Sequence, residues 1–453
     1  MTDTRQHDDA SSEVEPGAPE ADPWLPDEEQ PSYTTGGIRL ALLIMAVAFV
    51  GWRFGVGYVL MIVGIVIMIF LHELGHYVTA KWSGMKVTDF FIGFGPRIWS
   101  FHRGETQYGV KAIPAGAFVR IVGMNNLDET DPADEARTYR QQSFPKRLLV
   151  VSAGSISHFI QAFVLLVVLL TVVGVPGGTI SDKTRHDASW RVGKVVPDSA
   201  AAAAGLKTGD DIVSFNGAPV ATWDQVTDLI KSSAVGERVA FQVVRDGETR
   251  DLSAQLQPRP ADEPGQRGTP FLGLGPQYPT EKVGLGTAVV QAPQEMARYV
   301  GSTFGTLAGI FSPSGIGDMA DNVSQANDQS GSNSGSSGAA VSNDDGSNDN
   351  RLLSILGVLR LGAAATEQGG YGDLLVIFFA MNIFIGIFNM LPLPPLDGGH
   401  AAVAIYERVR SRRNRRYFAD AARLLPVTYA VLMVLITVGV TAFYLDLVNP
   451  VKL

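Results

Sequence analysis

Ile69-Phe70-Leu71-His72-Glu73-Leu74-Gly75-His76 closes an apolar run with no charged residue from Val56 to Leu71. Continued to position 82, the run is long enough to cross a bilayer as a helix. On that helix His72 and His76 lie four positions apart and therefore on one face, spaced so that two imidazoles reach one metal ion. Glu73, next to the first histidine, is placed to take a proton from a water held by that metal. Histidine is scarce (7 in 453 residues), which makes a chance HExxH rare. The bland alternative is a helix end whose histidines reach the interface as polar groups. Ionisable side chains inside a span are functional by default, which weighs against it. A metal site inside the membrane is the expectation.

At 453 residues the chain exceeds one ordinary domain, and several of its apolar runs reach crossing length. The formal net charge of −9 describes no single surface, because acid concentrates in residues 2–29 and 318–350. No basic patch carries interleaved aromatics, so nucleic acid is not expected as a partner. The chain has no cysteine. Disulfides and thiolate metal sites are excluded, and histidine and carboxylate must hold any zinc. Residues 1–36, acidic and proline-rich, read as a disordered tail and not as a secretory signal.

The hydropathy pattern predicts a polytopic α-helical membrane protein with four core transmembrane helices and an extra N-terminal one. The extra helix falls in 37–55; its apolar part, 38–51, is short. It reads as one arm of a helical hairpin, with a single long tilted helix or an interfacial segment as the alternatives. Core helix 1 covers 56–82 and carries HExxH. Residues 83–146 form a cytoplasmic or membrane-re-entrant β region rich in Lys and Arg, which places it on the cytoplasmic side. Core helix 2 covers 147–176 and stops at Pro176-Gly177-Gly178.

An outward-facing α+β domain follows in 185–260. Its strand signals lie at 192–196, 211–215 and 237–245, with tight turns at Asn216-Gly217 and Asp246-Gly247 and an amphipathic helix at 223–231. Residues 261–311 read as an extended and amphipathic membrane-surface segment, and 312–350 as a low-complexity linker. Core helix 3 falls in 374–397, a basic cytoplasmic loop in 398–421 and core helix 4 in 422–447. The two basic regions emerge on one side, as the number of spans between them requires.

A catalytic zinc takes three protein ligands and keeps one position open. The third ligand is sought in Asn389-Met390-Leu391-Pro392-Leu393-Pro394-Pro395-Leu396-Asp397-Gly398-Gly399-His400. Asp397 sits where an apolar run reaches the cytoplasmic side, at the depth of the HExxH helix end. An acid there is costly unless it binds a cation. The three prolines break the helix, which is tolerable only where backbone lines a polar cavity or is buried.

With both motifs in hand, the chain resembles the site-2 proteases, the intramembrane zinc metalloproteases. His72 to His76 matches their HExxH, and Asn389 to Gly398 their NxxPxPxxDG-type motif. Gly93-Phe94-Gly95-Pro96 and Ile113-Pro114-Ala115-Gly116 resemble the family's membrane-associated β-loop. The resemblance covers about residues 56–453, and its ending is similar to actinobacterial members that cut anti-sigma factors. Pro197-Asp198-Ser199-Ala200 and Ala204 to Asp210 resemble a PDZ domain of the bacterial protease kind.

The resemblance implies one zinc ion per chain, held by His72, His76 and Asp397, with Glu73 as general base. It further implies Asn389, Gly93, Phe94 and Gly95 as substrate-binding or transition-state support. The expected substrates are single-span membrane proteins such as anti-sigma factors, cut after a first extracytoplasmic cleavage at the bacterial plasma membrane. The PDZ-like domain is expected to bind peptide tails, and the lipid bilayer is the remaining partner.

One departure stands out. Many relatives carry Gly-Pro-x-x-Asn on the second core span; here it reads Gly154-Ser155-Ile156-Ser157-His158. His158 reads as an interhelical hydrogen bonder, with an extra metal contact as the alternative. Two other functional classes compete. A metal transporter would have no use for Glu73 as a base, and a catalytically silent adaptor would not need all four site residues.

Overall fold

The computed structural model describes residues 33–124, 130–176, 190–260, 268–278, 280–310, 312, 317, 353–368, 371–411 and 417–448. The acidic tail up to residue 32, nearly all of the 312–350 linker and the arginines of 412–416 lie outside the described residues. The stretches Gly37–Phe54, Val56–Trp82, Phe144–Val173, Tyr371–Asn389 and Ala422–Val448 are long and apolar enough to cross a membrane. The protein is polytopic, and its helices enclose the HExxH segment.

Helix α1 (Tyr33–Phe54) and helix α2 (Val56–Trp82) are separated by Gly55 at φ 98, a backbone conformation suited to glycine, and they pack on each other. Among the three readings of the leading segment, this is the hairpin. Near its start, Arg39 of α1 donates to the Arg97 carbonyl, which ties the extra helix to the β region.

That β region is a hairpin folded upon itself. Strand β1 (Val87–Arg103) pairs antiparallel with β2 (Thr106–Ile121), but residues 89–92 pair on both sides, with 107–110 and with 117–120. Each strand bends midway, so two long strands make a sheet of four short segments. The bend in β1 falls at Gly93 (φ 87) and Gly95 (φ 81), where a left-handed backbone is needed. Strand β2 packs along α2, next to the HExxH turn.

Helix α3 (Phe144–Val168) continues as a π-helical turn over Leu169–Val173 and stops at Gly174. It crosses α2 closely, since a Cβ at Gly75 would come within 2.7 Å of the Ala153 carbonyl. Strand β3 (Val175–Pro176) leads out of the bundle.

The inserted domain has β4 (Arg191–Val195), α4 (Ala200–Ala203), β5 (Asp211–Phe215), β6 (Ala218–Pro219), α5 (Trp223–Ser232), β7 (Arg238–Arg245) and β8 (Glu248–Gln255). Its main sheet runs β6-β5-β7-β8 over a core of Val226, Val239, Phe215 and Phe241. Both predicted tight turns have the positive φ values their hairpins need: Asn216 and Gly217 at 50 and 81, Asp246 and Gly247 at 55 and 83. Thr222 and Gln225 form a capping box that starts α5. Short strands β9 (Gln257–Pro258), β10 (Pro270–Phe271), β11 (Leu274–Gln277) and β12 (Thr280–Glu281) return the chain; β11 pairs with β4, and β12 with β3. The element succession agrees with the α+β PDZ-like reading.

The remaining helices refine the expected boundaries. Helix α6 (Leu285–Ile310) is more than a surface segment. Its Ala288 and Ala292 are fully buried, and Tyr299 meets Phe379 edge-on at 4.9 Å. Helix α7 (Ile355–Gln368) has no counterpart in the sequence reading. It fits against α2 at Gly57, where an added Cβ would lie 2.7 Å from the Ala363 Cα.

Core helix 3 is α8 (Tyr371–Asn389), which stops at Asn389 and does not reach 397. Pro392, Pro394 and Pro395 deny it further backbone donors. Residues 398–421, expected as a loop, begin instead with helix α9 (Asp397–Arg410). Asp397 in its first turn and Arg408 and Arg410 in its last complement the helix dipole, which explains why so polar a stretch is helical. Helix α10 (Leu425–Val448) ends the described chain.

Candidate metal site

Three side chains from two distant segments converge. Nε2 of His72 and Nε2 of His76 lie 3.3 Å apart, and Oδ2 of Asp397 is 3.4 Å from the first and 3.3 Å from the second. Among the described residues these three form the one His/Asp/Glu group spaced to hold a metal ion. Helix α2 supplies the histidines by its i, i+4 repeat, and α9 supplies Asp397 from its first turn.

Two of the three atoms that face one another are acceptors. His76 donates through Nδ1 to the Val150 carbonyl at 2.7 Å, which leaves its Nε2 a bare lone pair. Asp397 Oδ2 is buried without a hydrogen-bond partner. Lone pairs converging in a buried space repel unless a cation sits between them, and the two-nitrogen, one-oxygen set is that of a catalytic zinc with one position open. The residues fit the ion.

The surroundings keep that space clear. A Cβ on Gly154 of α3 would collide with Nε2 of His76 and with the ring of His72. Asp397 is positioned by its own segment: Cβ atoms at Gly398 and Gly399 would run into the backbone of residues 390–394, so the proline segment wraps tightly around the start of α9. At the far end of α9, Glu407 takes Arg147 of α3 at 2.6 Å in a largely buried ion pair and accepts from the Ala419 amide at 2.7 Å. The guanidinium also lies over the Tyr139 ring at 4.9 Å.

The other residues expected in the site are distributed around it. Glu73, half-buried, faces the backbone amide of Val119 on the outer segment of the β sheet, close to His76 and Asp397. Asn389 is the last residue of α8, half-buried where the chain leaves the helix. Gly93, Phe94 and Gly95 lie at the bend of β1, with Phe94 opposite Ile113 and its ring nearly parallel to that of Phe118. Two further residues are closer than the sequence suggested. His400 lies beside Asp397 and His76. Asn382 of α8, 1% exposed, hydrogen-bonds His158 at 2.9 Å. A polar residue in the middle of an apolar span was the available signal for Asn382.

Known proteins match this chain over nearly its whole length. The family described as Peptidase family M50 matches residues 60–435. The chain belongs to that family, the site-2 proteases. The zinc metalloprotease Rip1 of Mycobacterium tuberculosis (strain H37Rv) is 31% identical over 418 residues, covering 88% of this chain and 99% of that protein. The Rip1 zinc metalloprotease of Mycolicibacterium smegmatis is 30% identical over 423 residues, with the same coverage of both chains. Among solved structures, the PDZ domain of an SdrC-like protein from Listeria monocytogenes matches 20% of this chain and 87% of its own, at 24% identity and a TM-score of 0.17. On the family match and the relatives, this site-2 protease is a multi-pass membrane zinc metalloendopeptidase.

Proposed function

We propose that this site-2 protease cleaves the transmembrane segments of single-span proteins, anti-sigma factors among them, after a first cut outside the membrane. The observation that carries this reading is the convergence of His72, His76 and Asp397 next to Glu73 within a bundle of spanning helices.

One zinc ion per chain, held by those three residues, would supply a Lewis acid that polarises the scissile carbonyl and acidifies water. The chain's own groups do the rest. Glu73 accepts a proton from the attacking water as its oxygen bonds to the carbonyl carbon. It then delivers that proton to the amide nitrogen as the C–N bond breaks, leaving a carboxyl and an amine. The Val119 amide facing Glu73 holds the carboxylate on the side of the β sheet. Helical amides are shielded and already hydrogen-bonded, so the substrate must arrive extended. The outer segment of β2, which follows the bend opposite Gly93, Phe94 and Gly95, offers an edge to which such a strand can add. Asn389, at the end of α8, would support that strand or the developing charge.

The membrane orientation follows from charge. The Lys- and Arg-rich β region and the basic end of α9, with Arg408 and Arg410, face the cytoplasm of a bacterial plasma membrane, and the PDZ-like domain faces outward to bind peptide tails. The experiment is cleavage of a single-span anti-sigma factor, truncated on its outer side, by protein purified in detergent with zinc. Glu73→Gln should reduce turnover about 10²–10⁴-fold while retaining zinc. Asp397→Asn should lose both zinc and cleavage. Cleavage persisting in Glu73→Gln would overturn the mechanism, and binding without cleavage by the unaltered protein would point to an adaptor.

A further inference from the structure

Metal-binding histidines are normally oriented by a hydrogen bond from the second ring nitrogen. The two histidines of this site differ in that respect. His76 has its partner in the Val150 carbonyl. His72 is held more loosely: its Nδ1 has no partner at full hydrogen-bond geometry, and the Gly154 carbonyl is a backbone acceptor that approaches its ring. A single backbone contact of poor geometry leaves room for a second group to fix the plane of the His72 ring.

The candidate is a third imidazole. His158 of α3 is 2% exposed, and its ring centre lies 5.0 Å from that of His72 at a 40° tilt. It is itself held rigidly. Asn382 spends its amide hydrogen on the Phe378 carbonyl at 2.8 Å, so its Oδ1 is the atom that meets His158 Nδ1 at 2.9 Å. An acceptor there requires the proton on Nδ1 and fixes the tautomer of His158. Helix α8 also comes near at Gly386, where an added Cβ would be 3.2 Å from the His158 Cβ.

We propose that His158, locked by Asn382, is a positioning residue that sets the orientation of His72 for metal binding. The inference rests on the zinc reading above. Phe378, Asn382, His158 and His72 form one chain of contacts that couples α8, the helix leading into the Asp397 segment, to the HExxH helix. Asn382 lies 224 positions from His158, and α8 and α9 are joined through the proline segment. Both metal-bearing segments are thus registered against the same pair of residues.

The test measures zinc affinity by chelator competition, and the visible spectrum of the cobalt-substituted protein, for full-length chain in detergent. Asn382→Leu removes the lock and His158→Leu removes the ring. Each should weaken zinc binding about 10–100-fold and shift the cobalt bands. Because the two act as a unit, the double variant should be no weaker than the worse single one. A packing role alone would lower the melting temperature additively and leave affinity and spectrum unchanged; that result overturns the proposal. Should a leucine variant fail to fold, His158→Asn decides. It keeps a donor toward Asn382 and removes the ring from His72, so folded protein with weakened zinc binding is expected and wild-type affinity refutes the role. If the unaltered chain binds no zinc, it is the zinc reading that fails.

Discussion

Gly154 shows how much one missing side chain does at the residue scale. Its Cα faces both histidines so closely that a methyl group would occupy the space in which their Nε2 atoms and Asp397 meet. Gly154→Ala should therefore abolish zinc binding and cleavage while leaving the inserted domain folded. Zinc titration of the variant, with the near-ultraviolet spectrum as a folding control, checks this; wild-type zinc affinity would show that α3 can shift at no cost to the site. His72, Glu73, His76 and Asp397 were legible in the sequence for a physical reason. Ionisable groups in apolar runs have few excuses, and helical spacing alone places the first three. The His158–Asn382 pair was not legible as a pair, since nothing local to either span says which face meets which. The approach of His400 to Asp397 was not legible, because it depends on α9 being a helix.

Among the elements, α9 decides whether Asp397 is delivered to the site, and its anchor is the Arg147–Glu407 pair, with side chains 12% and 4% exposed. Glu407→Gln leaves a buried guanidinium without its counter-charge and should cost about 3–5 kcal/mol. Replacing both partners with methionine should recover most of that loss. Thermal unfolding in detergent measures the stability, and zinc affinity should fall in Glu407→Gln because α9 loosens. A second element contact is sensitive to acid. The two Arg137 bonds to Glu105, both 2.7 Å, outweigh burial and, with Lys81, bring its carboxyl down from 4.5 to about 2.

A carboxyl depressed in the fold adds stability above its unfolded value, and that stability is lost as pH falls from about 4.5 toward about 2. Glu105→Gln should flatten this part of the acid-unfolding curve and cost no more than about 1 kcal/mol at neutral pH, since the pair is partly solvated. An unchanged acid limb would show that the hairpin turn is not tied to α2 through this bridge. Element boundaries were less legible than residues. Helix α8 ends at Asn389 because the prolines after it cannot donate, and α9 begins at once on the far side. Helix α7, short and next to low-complexity sequence, shows its role only through the close approach of Gly57 and Ala363.

At the scale of the whole molecule, a proteolytic bundle and an inserted domain meet where β3 pairs with β12, beside the entry into α6. The inserted domain has its own core and its own buried ion pair, Asp210 with Arg245 at 2.6 Å, so its fold does not depend on the metal site. On the proposed orientation and peptide-tail binding, such an arrangement suits a filter: the inserted domain would hold an untrimmed substrate away from the bundle, while a trimmed one passes. Deleting residues 190–258 and closing the gap with a short Gly/Ser linker should then permit cleavage of a single-span substrate that still carries its outer domain. Cleavage of the pre-trimmed form should stay within a few-fold of the intact protein, which reports that the bundle survived the deletion. The measurement is the ratio of the two cleavage rates in one detergent preparation. The intact protein should favour the trimmed form strongly and the deletion should bring the ratio toward unity. A ratio unchanged by the deletion would assign the selection to the bundle itself, where the width of the gap beside α2 and the β sheet would have to reject the bulky substrate.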